Sequence, residues 1–348
     1  LGAARQGLNA FKLRGVVRAL AVAPPPAITS VDLSHNALDV GAAKMLCDAL
    51  LLTPGLQHLD LSGNPAVGAL GAESLASLID PRGRPKRVRT SMRSLVLDGC
   101  GVTDQGASAL MDALPFNRSL TALSLKDNRV HDRGGLACAH AVADNTTLRS
   151  LDLSENQLGQ MSAAAVAQAL RTNQALETLS LRRVQLGDEG CAHLAEALGA
   201  NSVLTSLDLS GAGAGPATCV VLSNVLAGNR SLRELKLDNC ALGCGGLQRL
   251  LYELGQSEAS GLQRLSLQRC TMTSVAALEG GSAAFAWRNP SGKYALSLGR
   301  PLDRQVALTL MRLAEEGKGR VEHVSLGGEP VDVERAGWPA RMPEAGAR

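Results

Sequence analysis

Residues 148–170 read LRSLDLSENQLGQMSAAAVAQAL and combine two periodicities within one short stretch. The first part follows L-x-x-L-x-L-x-x-N-x-L, which is typical of a short strand followed by a turn. From Ser162 to Leu170, apolar residues recur at helical spacing. Residues 176–198 repeat the division as LETLSLRRVQLGDEGCAHLAEAL, with Leu194, Ala195 and Leu198 as the inward stripe of the helix. Both stretches therefore predict the same strand–helix unit.

The leucine that closes each strand returns at a fixed interval along most of the chain. Six of its eight steps are 28 residues long, and the positions are Leu33, Leu61, Leu97, Leu125, Leu153, Leu181, Leu209, Leu237 and Leu267. A period between 20 and 50 residues is the signature of a solenoid. We therefore predict an α/β horseshoe, with parallel β-strands on its concave face and α-helices on its convex face.

This pattern resembles the ribonuclease-inhibitor-like subfamily of leucine-rich repeat proteins, which have long repeats with full helices. The resemblance covers roughly residues 28–272, and the 28-residue spacing makes it specific. It implies a leucine-rich repeat solenoid. The family also includes sensor regions of innate immune receptors, activating proteins for the Ran GTPase and many ciliary components, so the resemblance does not decide the function.

Four regions are predicted along the chain. Residues 1–27 form a helical cap or an incomplete first repeat, with a helix from Gly7 to Val22. Residues 28–279 are leucine-rich repeats with a basic insertion at 80–90. Residues 280–335 are a divergent β-α-β cap, and residues 336–348 are a tail. Within the cap we expect an irregular segment 280–292, strands ending at Leu298 and Leu326, and a helix from Asp303 to Glu316.

Composition excludes several classes of function. Hydrophobic residues make up 45% of the 348 residues but aromatic residues only 2%, so the core is expected to consist of Leu, Ala and Val. A net charge of +3 is too mild to indicate a nucleic-acid partner. The chain contains no apolar run of membrane-spanning length. An open curved sheet has no pocket, so we expect no enzyme activity, no cofactor, no metal and no small-molecule substrate.

The eight cysteines are too sparse for a disulfide framework and indicate a reducing, cytoplasmic compartment. Three of them follow a strand leucine by three residues, where other repeats carry asparagine. Side chains at this position are expected to bond neighbouring backbone; they are Asn36, Asn64, Cys100, Asn128, Asn156, Cys240 and Cys270. Three N-x-S/T sequons, at Asn117, Asn145 and Asn229, lie just before strands and are interpreted as turn residues rather than glycosylation sites.

The concave face is predicted to carry small and charged side chains without an aromatic residue, so it lacks the usual anchors of tight interfaces. Its best candidates for partner binding are basic, namely Lys126, Arg182, Arg183, Lys236, Arg264 and Arg269. An alternative is equally open: Glu155 and Asp208 lie on adjacent strands and could neutralise these cations within the protein.

The insertion DPRGRPKRVRT at 80–90 is the second candidate surface. It carries five basic residues, Arg82, Arg84, Lys86, Arg87 and Arg89. A loop of this charge could bind an acidic protein surface such as a tubulin tail. It could equally be a solvated insertion without a partner. The absence of aromatic residues disfavours single-stranded nucleic acid.

Acidic and histidine side chains suggest two further roles. Asp39, Asp104, Asp132 and Asp188 are placed to accept hydrogen bonds from free N–H groups at the start of the helices. His35, His58, Asp32 and Asp60 could cluster on the first two strands. They lack a third oriented ligand and a nucleophile, so neither a metal site nor acid–base catalysis is predicted there.

The leading functional hypothesis is a non-catalytic scaffold that binds other proteins in a large cytoplasmic assembly, such as a ciliary or flagellar axoneme. Residues 289–317 resemble sequence appended to repeats in algal and protist flagellar proteins, which motivates the axonemal part. The first alternative is the sensor region of an NLR-like immune receptor. The second is a Ran-type GTPase-activating protein with Arg129 as the loop arginine, although the last residues here are not acidic.

Overall fold

The fold is described from a computed structural model of the chain. The described residues are 2–22, 28–51, 53, 55–82, 91–256, 260–270, 285–288, 295–298 and 323–325.

Short strands alternate with helices over most of this part of the chain. The strands are β1 (Ser30–Asp32), β2 (His58–Asp60), β3 (Ser94–Val96), β4 (Ala122–Ser124), β5 (Ser150–Asp152), β6 (Thr178–Ser180), β7 (Ser206–Asp208), β8 (Glu234–Lys236), β9 (Arg264–Ser266), β10 (Phe285–Arg288), β11 (Ala295–Leu298) and β12 (His323–Ser325). The helices are α1 (Ala10–Val22), α2 (Val40–Leu50), α3 (Gly68–Ala76), α4 (Asp104–Ala113), α5 (Asp132–Asp144), α6 (Gln160–Thr172), α7 (Gly187–Ala197), α8 (Pro216–Leu226) and α9 (Cys244–Gln256), with a 3-10 turn at Leu114–Phe116.

Strands β1 to β9 form one continuous parallel sheet in chain order. The pairing aligns equivalent positions of neighbouring repeats, as in Leu151 opposite Leu179 and Leu179 opposite Leu207. A helix follows each of the strands β1 to β8, which is the crossover that parallel neighbours need. The predicted α/β leucine-rich repeat solenoid is confirmed.

The core lies between the sheet and the row of helices. In β5, for example, Leu151 and the following Leu153 are almost fully buried, and Val166 and Leu170 of α6 close the layer from the helix side. Burying one such side chain stabilises the fold by roughly 1.5–3 kcal/mol. Leucine, alanine and valine supply most of this core, as the composition predicts.

The first described residues continue the sheet at its β1 edge. Gly2 forms a parallel bridge with Asp32, and the Ala3 N–H donates to the Asp32 carbonyl at 2.8 Å. The Leu8 N–H then donates to the Asn36 side chain at 2.9 Å. Residues 2–22 thus repeat the turn and the helix of the later units. The division that makes residues 1–27 a helical cap or an incomplete first repeat stays a prediction.

A row of side chains follows the strands, which we call the strand-exit ladder: the half-buried Asn36 and the buried Asn64, Cys100, Asn128, Asn156, Cys240 and Cys270. Asn128, for instance, donates to the carbonyls of Leu97 and Leu125 at 2.8 and 2.9 Å. Its side-chain oxygen accepts from the N–H groups of Cys100 and Val102. Each member therefore bonds the backbone of its own and the preceding repeat, as predicted.

A second row precedes the strands, which we call the strand-entry ladder: Asn117, Asn145, Asn173, Asn201 and Asn229. All five are buried. Asn201 donates to the Leu170 carbonyl at 2.7 Å and accepts from the N–H groups of Val203 and Leu204. The sequon residues Asn117, Asn145 and Asn229 belong to this ladder, which explains them as structural turn residues.

Each of the four helix-start aspartates was predicted to accept hydrogen bonds at the start of its own helix. The structure shows this for one of them and a different helix for the other three. Asp39 does cap its own helix by accepting from the Ala42 N–H at 2.8 Å. The carboxylates of Asp104, Asp132 and Asp188 instead accept from the start of the helix in the next repeat. Asp188 accepts from the N–H groups of Gly215 and Thr218 at 2.9 and 2.8 Å. The reason is geometric, because these aspartates lie inside their own helix and point along the stack.

The C-terminal strands differ in part from the expectation. Strands β11 and β12 fall where strands were predicted and pair in parallel. The segment 280–292 was predicted to be irregular, which is wrong for β10, since it pairs antiparallel to β11. Its FAWR sequence is rich in strand-forming residues but lacks the leucine spacing of the repeats. Strand β12, not β11, pairs with β9. The predicted helix from Asp303 to Glu316 and the tail 336–348 lie outside the described residues.

Candidate protein-binding surface

The candidate surface is the concave wall. We define it as the first and third residue of each strand β1–β9, together with the two residues that come after the strand-closing leucine. In β5 these residues are Ser150, Asp152, Ser154 and Glu155. The middle residue of each strand is buried, because successive side chains of a strand point to opposite faces. The wall therefore presents four rows of side chains along the sheet, none of them aromatic.

The small polar residues of the wall hold its carboxylates by local hydrogen bonds. Asp32 and Asp60 each accept from the N–H and the hydroxyl of the serine two residues later. The bonds from Ser34 lower the pKa of Asp32. Asp98 accepts from Ser124 and from the Lys126 N–H on the next strand. Burial, with the nearby charges of Asp152 and Asp60, nevertheless raises the pKa of Asp98.

Two glutamates neutralise four of the six predicted basic residues. Glu155 lies 3.5 Å from both the Lys126 Nζ and an Arg183 guanidinium nitrogen. Glu234 lies 3.7 Å from the Lys236 Nζ and 3.3 Å from the Arg264 Nε. Burial raises the pKa of Glu234, but the hydrogen bond from Arg264 and the charge of Lys236 outweigh it, so the net shift is downward. The neutralisation alternative therefore holds for Lys126, Arg183, Lys236 and Arg264.

Arg182 and Arg269 differ from the other four cations. Both side chains are exposed, and neither forms an ion pair with any residue that the structure describes. Asp208, the other expected acidic partner, accepts from the Ser210 N–H at 2.9 Å instead. Since each shared glutamate carries one charge against two cations, the C-terminal part of the wall keeps an excess of positive charge.

The turn after each strand imposes a backbone conformation that the sequence reasoning missed. The last wall position has positive φ in Asp127 (53°), Glu155 (58°), Arg183 (54°) and Arg269 (57°). Glycine occupies the same position in other repeats, at 63, 99 and 211. These glycines could have indicated the positive φ from the sequence, because glycine adopts it readily. A non-glycine residue there carries strain of about 1 kcal/mol. The strained residues thus place charged side chains at the rim of the wall.

The base of the basic insertion is fixed on the helix side of the molecule. The Arg82 guanidinium lies 4.2 Å from the Phe116 ring centre and 2.9 Å from the Asp80 carboxylate. It also donates to the Asp112 carbonyl at 3.0 Å. Arg84, Lys86, Arg87 and Arg89 lie outside the described residues.

The remaining candidates for chemistry are also placed. Within the described ranges, no three His, Cys, Asp or Glu side chains are arranged to hold a metal ion. His35 and His58 are exposed on the wall. The seven cysteines whose side chains are described are buried and form no disulfide with one another. Burial raises the pKa of Cys100 and Cys138 to about 12, which keeps these thiols protonated. Arg129 is exposed after β4, with its N–H bonded to the Val102 carbonyl.

A continuous parallel sheet backed by one helix per repeat defines a leucine-rich repeat solenoid. A family model described as "Leucine Rich repeat" matches residues 56–76, 89–111, 116–137 and 144–167. The matched residues are repeats of this family, and the likeness to the ribonuclease inhibitor supports its ribonuclease-inhibitor-like form. Families of this type are typically non-catalytic, and the repeats make the chain a protein-interaction scaffold.

Three curated proteins illustrate the likeness. The human NACHT, LRR and PYD domains-containing protein 13 is 35% identical over 105 residues, which is 30% of this chain and 9% of that protein. The mouse ribonuclease inhibitor is 33% identical over 101 residues, covering 29% of this chain and 21% of the inhibitor. The mouse centrosomal protein of 78 kDa is 34% identical over 74 residues, covering 21% of this chain and 8% of that protein. The chain thus spans about a fifth or less of each relative.

A solved structure titled "Leiomodin-1 Actin-Binding Site 2 (ABS2)" is also similar, with 20% identity and a TM-score of 0.36. The match covers 45% of this chain and 87% of that one. No described helix is both long and apolar enough to cross a membrane.

Proposed function

We propose that the chain is a non-catalytic scaffold that binds other proteins through its concave wall, within a large cytoplasmic assembly. One observation carries the proposal: nine strands in a row expose rows of polar side chains, and Arg182 and Arg269 among them are left without an ion pair by the described residues. A continuous surface of this kind suits an extended protein partner. Neither a cofactor nor a small-molecule substrate enters the proposal.

The face used for binding is tested by crosslinking mass spectrometry on the native complex. We expect partner crosslinks at wall residues such as Lys126 and Lys236. Lys44 of α2 serves as the convex-face reference. Crosslinks confined to Lys44 and other helix positions would contradict binding through the wall.

The particular assembly that we propose is cytoskeletal, with a ciliary or flagellar axoneme as the first choice. The name of one relative, a centrosomal protein, supports a cytoskeletal setting. Quantitative mass spectrometry of isolated axonemes against soluble extract tests the axonemal location. Enrichment in the axonemal fraction is expected, and recovery only in the soluble extract would contradict it.

The basic insertion is proposed as a second contact, with an acidic protein surface such as a tubulin tail. Its sequence charge supports this, and the fixed position of Arg82 at its base gives the contact a defined starting point. Replacing Lys86 and Arg87 by glutamate should reduce co-sedimentation with microtubules at low salt. Replacing Arg133 of α5 and Arg171 of α6 by glutamate makes the same charge change on the convex helices and is the control.

A ligand-sensing region of an NLR-like receptor is the second candidate, because one relative is a NACHT and LRR protein. A nucleotide-binding module encoded upstream of Leu1 would favour it over the cytoskeletal proposal. A third candidate is a Ran-type GTPase-activating protein, for which Arg129 is suitably exposed. Stimulated GTP hydrolysis that is lost in Arg129→Ala would favour that candidate instead.

A further inference from the structure

Charge is segregated along the concave wall. In the first five strands the wall carries six carboxylates and one lysine, namely Asp32, Asp60, Asp98, Asp127, Asp152, Glu155 and Lys126. In the last four it carries five cations and three carboxylates, namely Arg182, Arg183, Lys236, Arg264, Arg269, Asp208, Glu234 and Asp238. We call these parts the acidic half (β1–β5) and the basic half (β6–β9). The sign of the surface changes between β5 and β6.

Local pairing does not remove this segregation. Lys126 is the single lysine of the acidic half, and it shares Glu155 with Arg183 from the basic half. Four other carboxylates of the acidic half are held by serine hydroxyls or backbone N–H groups, which carry no compensating charge; they are Asp32, Asp60, Asp98 and Asp152. The charges of Asp60 and Asp152 also contribute to the raised pKa of Asp98, so these groups repel one another across the strands.

We propose that the concave wall binds a polypeptide segment in which a basic cluster and an acidic cluster are separated along the chain. The basic cluster lies on the acidic half, and the acidic cluster lies on the basic half. This inference rests on the proposed function, because it assumes that the wall is the docking surface. It adds the chemistry of the partner and the direction in which the partner crosses the strands.

A segment of uniform charge fits the wall less well. A wholly acidic segment would face the six carboxylates of the acidic half, and a wholly basic segment would face Arg182, Arg183 and Arg269. The repulsion between like charges across the interface disfavours both the wholly acidic and the wholly basic segment. The wall has no aromatic anchor, so the binding energy comes largely from these charges and is expected to be sensitive to salt.

The sheet also sets the spacing of the two clusters. The centres of the two halves are about 20 Å apart, given roughly 4.8 Å between neighbouring strands. An extended segment covers this distance in about six residues. A helical segment needs about 13 residues.

Fluorescence anisotropy with two labelled peptides of identical composition tests the proposal. One peptide has a lysine run, a Gly/Ser spacer and a glutamate run, and the other alternates lysine with glutamate. At low salt the segregated peptide should bind at least about tenfold more tightly than the alternating peptide, and the difference should shrink at about 0.15 M salt. Equal affinities, or a lack of binding by either peptide, would overturn the charge arrangement.

Charge-reversal variants distinguish binding at the concave wall from a general effect of the protein's net charge. Arg182→Glu together with Arg183→Glu should weaken binding of the segregated peptide about tenfold. The matched control combines Arg133→Glu with Arg171→Glu, which makes the same double change at exposed arginines of the convex helices α5 and α6. A loss of similar size in the control would contradict a specific role of the basic half.

The direction of binding is read from photocrosslinkers placed at each end of the segregated peptide. The lysine end should crosslink to the acidic half and the glutamate end to the basic half. The reverse pattern, or an even distribution, would refute the proposed direction while leaving the wall as the docking surface. Native-partner crosslinks confined to the convex helices would instead refute the proposed function itself.

Discussion

The strand-entry ladder and the concave wall both carry polar residues at repeated positions, but the ladder residues are buried and hydrogen-bonded whereas the charged wall residues are largely exposed. Asn201 of the ladder is 3% exposed, and its amide is bonded on both sides to backbone groups. Arg182 of the wall is exposed and forms no ion pair with the described part of the chain. The ladder residue is the same in five consecutive repeats, whereas the equivalent wall position is occupied by Lys126, Ser154, Arg182, Ser210 and Asp238.

This difference separates the polar groups that stabilise the stack from those available to a partner. A buried side-chain amide forms the hydrogen bonds that water would otherwise provide to the backbone. Removing it leaves these backbone groups unsatisfied and lowers the stability of the fold. An exposed charge in a weak ion pair contributes little to stability and can vary from repeat to repeat. The two regions should therefore respond very differently to substitution.

The largest effect is expected in the ladder. Asn201→Ala removes a donor to the Leu170 carbonyl and an acceptor for the N–H groups of Val203 and Leu204. Leaving these buried groups unsatisfied should destabilise the protein by about 3 kcal/mol, since each costs about 1–3 kcal/mol. Urea unfolding followed by circular dichroism measures the loss. Gln157→Ala, an exposed position, is the control, and equal losses in both variants would contradict a special role for the ladder.

A smaller effect is expected at the contact between helices of neighbouring repeats. Asp188→Ala removes the acceptor for the N–H groups of Gly215, Ala217 and Thr218 at the start of α8. Loss of such a cap should reduce the free energy of unfolding by about 1 kcal/mol. The neighbouring exposed Glu189→Ala provides a matched control. An unchanged unfolding midpoint in Asp188→Ala would show that the stack does not depend on this carboxylate.

The same carboxylate predicts a dependence on pH. Burial raises the pKa of Asp188, but hydrogen bonds from Thr218 and the backbone lower it more, so the folded pKa lies below the ordinary value of 3.8. The stabilisation is therefore complete above about pH 4 and is lost as the pH falls through the lowered pKa. Unfolding midpoints of the wild type and Asp188→Asn should differ at pH 7 and converge in acid. A difference that persists unchanged at low pH would contradict the assignment.

The smallest effect on stability is expected at the concave wall. Combining Arg182→Ala with Arg183→Ala removes one exposed side chain that pairs with no described carboxylate, and one weak pair with Glu155. The free energy of unfolding should change by less than about 0.5 kcal/mol. Thermal unfolding checks this directly. A loss as large as that of Asn201→Ala would mean that the wall arginines hold the stack together and are not reserved for a partner.

The sequence predicted the repeat well because the relevant signals are local. The spacing from Leu125 to Leu153 and Leu181 marks successive strands, and the structure pairs them in register. The asparagines after the strands were likewise recognisable from their fixed distance to a leucine. Strand β10 was missed because its sequence does not follow the repeat.

The candidate surface was predicted in its residues but not in its pairings. Lys126, Arg182 and Arg183 are all on the wall, as expected from strand alternation. The sequence could not show that Glu155 is shared by Lys126 and Arg183, nor that Arg182 forms no ion pair within the described ranges. These outcomes depend on how far each side chain reaches across to the next strand.

The leucine period alone determined that the chain forms a solenoid, because a strand and a helix of fixed length can bury their apolar faces only by stacking on identical units. The tertiary structure decided which helix each of Asp104, Asp132 and Asp188 stabilises. It also decided that Lys126 and Arg183 share Glu155 on the concave wall. The residues that form these contacts lie about one repeat apart in sequence. They meet because neighbouring repeats stack on one another, and no local sequence pattern shows this.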